Sequence, residues 1–275
     1  MDNIQMKLIL IPFSILFILF LNSGSAAENT ILVQSTTSTK NSGFYDYILP
    51  KFQAETGIIV NVVAVGTGAA IKNARNCDAD ILLVHSPEHE KKFVADGYAK
   101  KRYDVMYNDF VIVGPDNDPS ELSDMQDVTL AFEKIAMTGT KFASRSDNSG
   151  THSKELSIWR EARLNPEAGS GKWYFETGSG MGTTLNTAVG MNAYTLVDRA
   201  SWHSFSNKHD FRIILEGDKR LFNPYSIMLL SKVKCPGVKS KEGQLFIEWL
   251  ISDKGQNEIS RFTINGRQVF NTNRG

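Results

Sequence analysis

Strand-length apolar runs alternate along this chain with turns of Ser, Thr and Gly that open helices. That alternation restricts the possible folds more than any other feature. The run "ENTILVQS" is β-rich and is followed by the polar turn "TTSTKNSG". In "FYDYILPKFQAETG", Phe44, Ile48 and Phe52 recur at helical spacing and Gly57 supplies a C-terminal stop. Pro50 predicts a kink or break near Leu49, because proline removes a helical N–H and crowds the preceding turn. Strand "IIVNVVAV", turn "GTG", short helix "AAIKNARN" and the wholly apolar strand "DILLVHS" come next. A β–turn–α–β order of this kind predicts an α/β fold with a mainly parallel sheet covered by helices.

The second half repeats the pattern. "NDFVIVGP" reads as a strand, "DVTLAFEKIAM" as a helix, and "KFASRSDNSGTHSKELSIWREARL" as strand, loop and helix, with Leu156, Trp159 and Ala162 on the buried face. "MGTTLNTAVGMN" reads as a helix. "AYTLVD", "FRIILEGD" and "NPYSIMLLS" read as strands, and the end of the chain is helical with an interruption expected at Gly255. Two α/β units thus stand in series with a return, and "FVIVGP" and "NPYSIMLL" are the expected crossings. The predicted division is a discontinuous first domain, residues 28–109 plus 223–275, and an inserted second domain, residues 110–222.

Residues 1–27 have the plan of a secretory signal peptide: Lys7, an apolar run from Leu8 to Leu21 whose one polar residue is Ser14, then small residues with a cut after Ala27, preceded by Ser25. The apolar core is short for a membrane span, which takes about 20 residues. No cysteine sits at the cut to carry a lipid, so the expected product is free in the periplasm. With 30 basic and 30 acidic residues the formal net charge is +0, which offers no long-range attraction to nucleic acid. Any anion site must be local. The two cysteines, Cys77 and Cys235, are too few and too far apart for a zinc site. An oxidising compartment permits them to pair, but their separation leaves pairing open.

Ligands of open α/β sheets gather outside the carboxyl ends of strands, and four polar turns fall at such points. Ser35-Thr36-Thr37-Ser38-Thr39 offers five hydroxyls where a helix cap needs one; it reads as a cap with solvated hydroxyls or as a set of donors for an oxyanion. Gly66-Thr67-Gly68 lets backbone N–H groups approach a ligand, but lacks the lysine of a P-loop and the full dinucleotide fingerprint. In "SRSDNSGTH", Ser149, Gly150 and Thr151 open a helix whose free N–H groups favour an anion, and Arg145 adds a planar donor fork. Asp147 would repel an anion, so its expected part is to pair with Arg145 or accept from loop N–H groups. Glu155 reads as a surface or helix-stabilising residue. The turn Gly180-Met181-Gly182-Thr183-Thr184 opens another helix, where Thr183 is a further possible contact.

Hydrolytic and metal chemistry fit less well. Ser149, His152 and Asp147 have the residue types of a triad but crowd into six positions, and there is no G-x-S-x-G elbow. The five histidines form no H-E-x-x-H pair. His85 and His89 are separated by Pro87, so they read as solvated or locally bonded. His152 is left as a first-turn residue without assigned chemistry, and no enzyme activity or cofactor is expected.

As a set, "STTST", "PKFQAETG", "VAVGTGAA", "DADILLVHSPEHEKKFVADGY", "MYNDFVIVGP", "SRSDNSGTHSKELSIW", "GMGTTLNTA", "AYTLVDRA" and "NPYSIMLL" resemble the tungstate-binding proteins of bacterial ABC transporters, through nearly all of the chain after residue 27. The resemblance implies a two-domain type II periplasmic binding protein fold with two hinge strands and an interdomain ligand cleft. It also implies a monomer that hands tungstate to the permease and ATPase. Carried over by residue, the ligand set is Thr36, Thr37, Ser38, Gly66, Thr67, Gly68, Arg145, Ser149, Gly150 and Thr151. "SRSDNSGT" also resembles phosphate-binding proteins, which keep a carboxylate after the buried strand; here Val84-His85 stands in that place. Molybdate, phosphate and sulfate are the alternative ligands, and a periplasmic hydrolase is a remote one. Cys77 and "DRAS" depart from the family pattern. Arg199 is a possible second cation, or a partner of Asp198 or a neighbouring loop.

Overall fold

The computed structural model describes residues 29–272. The expected signal peptide and its cut lie outside them. Strand β1 (Thr30–Thr36) leads through α1 (Thr37–Asn41) and α2 (Phe44–Thr56) to β2 (Ile59–Val65). Helix α3 (Thr67–Arg75), β3 (Ile81–Val84) and α4 (Pro87–Ala95) complete this unit. Strand β1 lies between β2 and β3, parallel to both. Strand β4 (Tyr103–Pro115) is long: Val105 and Met106 join the core beneath β1 and β3, whereas Phe110 and Ile112 join a second core with Phe132, Phe142 and Trp159.

That second core draws on α5 (Val128–Thr138), β5 (Phe142–Ser144), α6 (Gly150–Glu161), β6 (Tyr174–Glu176), β7 (Thr195–Asp198) and β8 (Phe211–Leu215), while α7 (Met181–Met191) and α8 (Arg199–Ser204) place Met181, Leu185 and Trp202 in a separate cluster with Val111 and Val113. Strand β9 (Phe222–Leu229) returns beside β4, pairing Asn108 with Asn223 and Asp109 with Phe222. Helices α9 (Ser240–Ile251) and α10 (Asp253–Arg261) follow, then the hairpin of β10 (Thr263–Ile264) and β11 (Arg267–Gln268). Strand β12 (Asn271–Thr272) ends the described chain on β4.

The expectation of a mainly parallel sheet is corrected. Strand β9 runs antiparallel to both β3 and β4, and β7, β8 and β12 are also antiparallel to β4. Two strands that carry the chain out of one lobe and back into it run in opposite directions, so their pairing is antiparallel. Pro50 does not break α2, which is continuous through it. Pro50 and Asp46 are both exposed, so the carbonyl freed by the missing N–H faces water, while Phe44, Ile48 and Phe52 hold the buried face. The C-terminal interruption falls at Ser252 instead of Gly255. Ser252 has extended backbone, and its hydroxyl accepts from Gly255 N as the cap of α10. Gly255 serves close packing: a Cβ there would sit 2.1 Å from the Trp249 carbonyl oxygen. Cys77 and Cys235 are bonded, tying the turn after α3 to the segment after β9.

Candidate functional site

The ends of β1, β2, β3 and β5 converge on a small recess with a cavity volume of about 10 Å³. This is below the roughly 300–1,000 Å³ of clefts for drug-sized molecules, and it suits a single compact ion. From the first lobe come Thr36, Thr37 and Ser38 after β1, Val65, Gly66 and Thr67 between β2 and α3, and His85 after β3; the second lobe supplies Arg145, Ser149 and Gly150.

The first turn divides its hydroxyls. Ser35 is turned inward against the Tyr45 hydroxyl, and Thr39 bonds Thr36 at 2.8 Å. Thr36, Thr37 and Ser38 are left on the recess, with Thr36 Oγ1 and Ser38 Oγ 3.2 Å apart. Helix α3 starts at Thr67, earlier than its apolar periodicity suggests, so Gly66 caps it and its first N–H groups face the site. Gly68 does not line the recess; it packs near the Asn148 carbonyl of the opposite lobe.

Arg145 follows β5 and is only 5% exposed. Its Nη2 donates to Asp147 Oδ2 at 2.6 Å and Nη1 to Thr151 Oγ1 at 3.5 Å, while Nε is buried with no partner. Leaving such a donor unsatisfied costs about 1–3 kcal/mol or more, and an anion in the recess would remove that cost. Asp147 performs both of its expected parts, since its other oxygen accepts from Ser149 N at 3.2 Å. Ser146 and Asn148 take positive φ of 45° and 57°, which folds this loop tightly enough to bring Arg145 and the start of α6 together. Ser149 caps α6, its hydroxyl oxygen accepting from His152 N at 3.2 Å; the hydroxyl hydrogen stays available to a ligand. Thr151 stands behind Arg145 and does not line the recess.

The lobes touch at Gly150, whose N–H donates to Thr67 Oγ1 at 3.1 Å. A Cβ at Gly150 would meet the His85 carbonyl oxygen at 3.2 Å and Thr67 Oγ1 at 3.4 Å. Glycine therefore permits this approach.

Other candidates sit elsewhere. Thr183 lines a neighbouring, wider hollow between α1, α7 and α8, which shares Thr37 and Ser38 with the recess. Arg199 is engaged by Asp109 on β4, through Nε and through Nη2 at 2.6 Å, and by Glu216 after β8. These carboxylates raise its already high pKa. Asp198, its sequence neighbour, instead caps α8 by accepting from Ser201 N.

Two residues were misjudged from sequence. His85 is buried, 4% exposed, with Nε2 3.2 Å from Ser38 Oγ, Nδ1 3.0 Å from Asn223 Oδ1, and its ring stacked on Tyr225 at 4.5 Å. Burial lowers its pKa, Arg145 acts in the same direction, and Asp198 and the Asn223 hydrogen bond oppose them. The signal that could have found it is its place directly after the fully buried strand "ILLV". Glu155 is no surface residue: at 1% exposure it accepts from the Ser144 hydroxyl, Trp159 Nε1 and the Tyr174 hydroxyl. Burial pushes its pKa up to about 7.

The triad types do not assemble. Ser149 Oγ meets the backbone of His152, and the His152 ring accepts from Asn148 N at 3.2 Å, bracing the loop. Among the described residues no group of three or more His, Cys, Asp or Glu could hold a metal ion. No helix there is long and apolar enough to cross a membrane.

The model of the PBP superfamily domain matches residues 22–254. The tungstate-binding protein TupA of Peptoclostridium acidaminophilum is 43% identical over 238 residues, 86% of this chain and 82% of that protein. The chain belongs to the TupA family. TupA of Campylobacter jejuni is 36% identical over 85% of this chain and 87% of its own length. The solved TupA structure from Desulfovibrio alaskensis superposes with a TM-score of 0.79 at 41% identity, covering 89% of this chain and 98% of the other. A solved structure described as the tungstate ABC transporter from Geobacter sulfurreducens gives 0.78 at 41% identity, covering 86% and 100%. TupA membership and these superpositions give the chain the type II periplasmic binding protein fold, two lobes joined through β4 and β9 with the recess between them.

Proposed function

We propose that this protein captures tungstate in the recess and delivers it to the permease of an ABC transporter. The observation that carries the reading is the buried, unpartnered Nε of Arg145 in a recess lined by hydroxyls and helix starts. Asp147, the carboxylate beside Arg145, is already held by Arg145 and Ser149 N. Tungstate, molybdate and sulfate are fully deprotonated at neutral pH and present only acceptors, so a wall of donors suits them. Phosphate keeps a proton and needs an acceptor; the end of β3 offers His85 in place of a carboxylate. The names of the relatives favour tungstate among the fully deprotonated ions.

Ligand donors come from both lobes, so binding stabilises the closed form by its differential affinity for it. In this reading residues 28–109 plus 223–275 form one domain and residues 110–222 the other, with β4 and β9 as hinges. The protein works as a periplasmic monomer, released by cleavage after Ala27, without cofactor or catalysis. Thr36, Thr37, Ser38, Gly66, Thr67, Arg145, Ser149 and Gly150 bind the ion. Thr151 and Asp147 support Arg145, while Gly68, Thr183 and Arg199 stand outside the contact set. Titration calorimetry with tungstate, molybdate, sulfate and phosphate tests the proposal. Tungstate binding most tightly is the expected result, and phosphate displacing tungstate at comparable concentration would overturn it.

A further inference from the structure

Behind the recess a polar chain runs from Ser38 into the hinge strands. His85 links Ser38 to Asn223 on β9, and Asn223 Nδ2 donates to Asn108 Oδ1 on β4 at 2.6 Å. We propose that His85 is a positioning residue that decides whether Ser38 offers its hydroxyl hydrogen to the bound oxyanion. The proposal rests on the oxyanion reading above.

The direction of each bond follows from the amide of Asn223. Its Nδ2 is spent on Asn108, so Oδ1 is the atom facing His85 Nδ1, and Nδ1 must carry the hydrogen. In the neutral ring Nε2 is then bare and can only accept, which draws the Ser38 hydroxyl hydrogen toward His85 and away from the recess. In the imidazolium, Nε2–H donates to Ser38 Oγ instead. The Ser38 hydrogen is released toward the ligand, and a second positive charge joins Arg145. Three charged or aromatic groups face the ring: Arg145 from the β5–α6 loop, Asp198 at the end of β7, and Tyr225 stacked from β9. Asp198 Oδ2 is buried with no partner, so its field favours imidazolium unopposed by a direct ion pair. An arriving dianion offsets the effect of Arg145 and favours the same form. Binding therefore draws one proton from solvent onto His85, a balanced step of neutral His85, a proton and the dianion giving imidazolium and bound dianion.

Calorimetry of the whole protein with tungstate, in buffers of different ionisation enthalpy between about pH 6.5 and 8.5, reads this directly. The expected result is net proton uptake, with affinity falling up to about tenfold per pH unit at the upper end. His85→Gln should bind more weakly, with no buffer-dependent heat. Asn223→Asp, which puts a carboxylate on Nδ1–H, should extend tight binding to higher pH. Glu155→Gln should leave the uptake intact. Tungstate binding without proton exchange, or uptake that survives His85→Gln and disappears in Glu155→Gln, would overturn the proposal and leave the oxyanion reading standing. Absence of binding by any of the oxyanions would sink both.

Discussion

Glu155 accepts a hydrogen bond from the Ser144 hydroxyl at 2.7 Å, one residue before Arg145 in the chain. A carboxyl group on α6 thereby fixes the end of β5, and with it the starting point of the loop that carries the guanidinium. Its pKa near 7 exceeds the ordinary 4.5, so the folded protein holds the proton more tightly than the unfolded chain. That contribution is full below about pH 4.5 and is lost as pH rises through about 7, a difference of about 3 kcal/mol. Denaturant midpoints measured across this window should fall with rising pH. In Glu155→Gln that part of the slope should vanish; an unchanged slope would assign it to other groups.

Arg145→Ala should reduce oxyanion affinity at least about 100-fold, because charge-assisted bonds in a buried site are lost and Asp147 is left facing the ion. The thermal midpoint of the free protein should move little. Arg145→Lys should recover only a small part, since an ammonium cannot reproduce the planar fork. Calorimetry on both variants checks this, and near-wild-type affinity in either would remove Arg145 from its central role.

At Gly150 a methyl group would press on the His85 carbonyl oxygen at 3.2 Å. Gly150→Ala should therefore hold the lobes slightly apart and weaken tungstate binding about tenfold, a cost of about 1.4 kcal/mol. The fold of each lobe is untouched, so circular dichroism and the ligand-free melting temperature should match the wild type. Unaltered affinity would show that the lobes need not close to this distance.

The Cys77–Cys235 bond closes a separation of 158 residues. Its removal by paired Cys→Ser substitution should lower stability by about 2–5 kcal/mol. The bond lies at the opposite end of α3 from Gly66, so oxyanion affinity should change by less than about threefold. Thermal melts with and without reductant, alongside calorimetry, separate the two effects.

What could be read from the sequence was local. Strand-end turns, the helix start at Ser149–Thr151 and the Arg145–Asp147 relation all depend on a few consecutive residues, and each appears in the structure where the pattern placed it. What escaped depends on distant chain. Glu155 occupies a helix position that looks solvent-facing until β5 and β6 bring Ser144 and Tyr174 over it. His85 became part of the site only because β9 returns to set Asn223 and Tyr225 against it. The antiparallel pairing of β4 with β9 joins residues more than a hundred apart, beyond the reach of any periodicity, and Pro50 was tolerated because its side of α2 happens to face water.

The bond from Gly150 N to Thr67 Oγ1 bears on time as much as on affinity. It joins the start of α6 to the start of α3 directly across the mouth of the recess. An ion enclosed there escapes no faster than those two helix ends separate, so its residence is set by an opening rate that belongs to the protein and not to the ion. A membrane partner that accepts the cargo would have to part these two helix ends. Unloading is then a property of the docked pair, while the free protein in solution retains what it has collected.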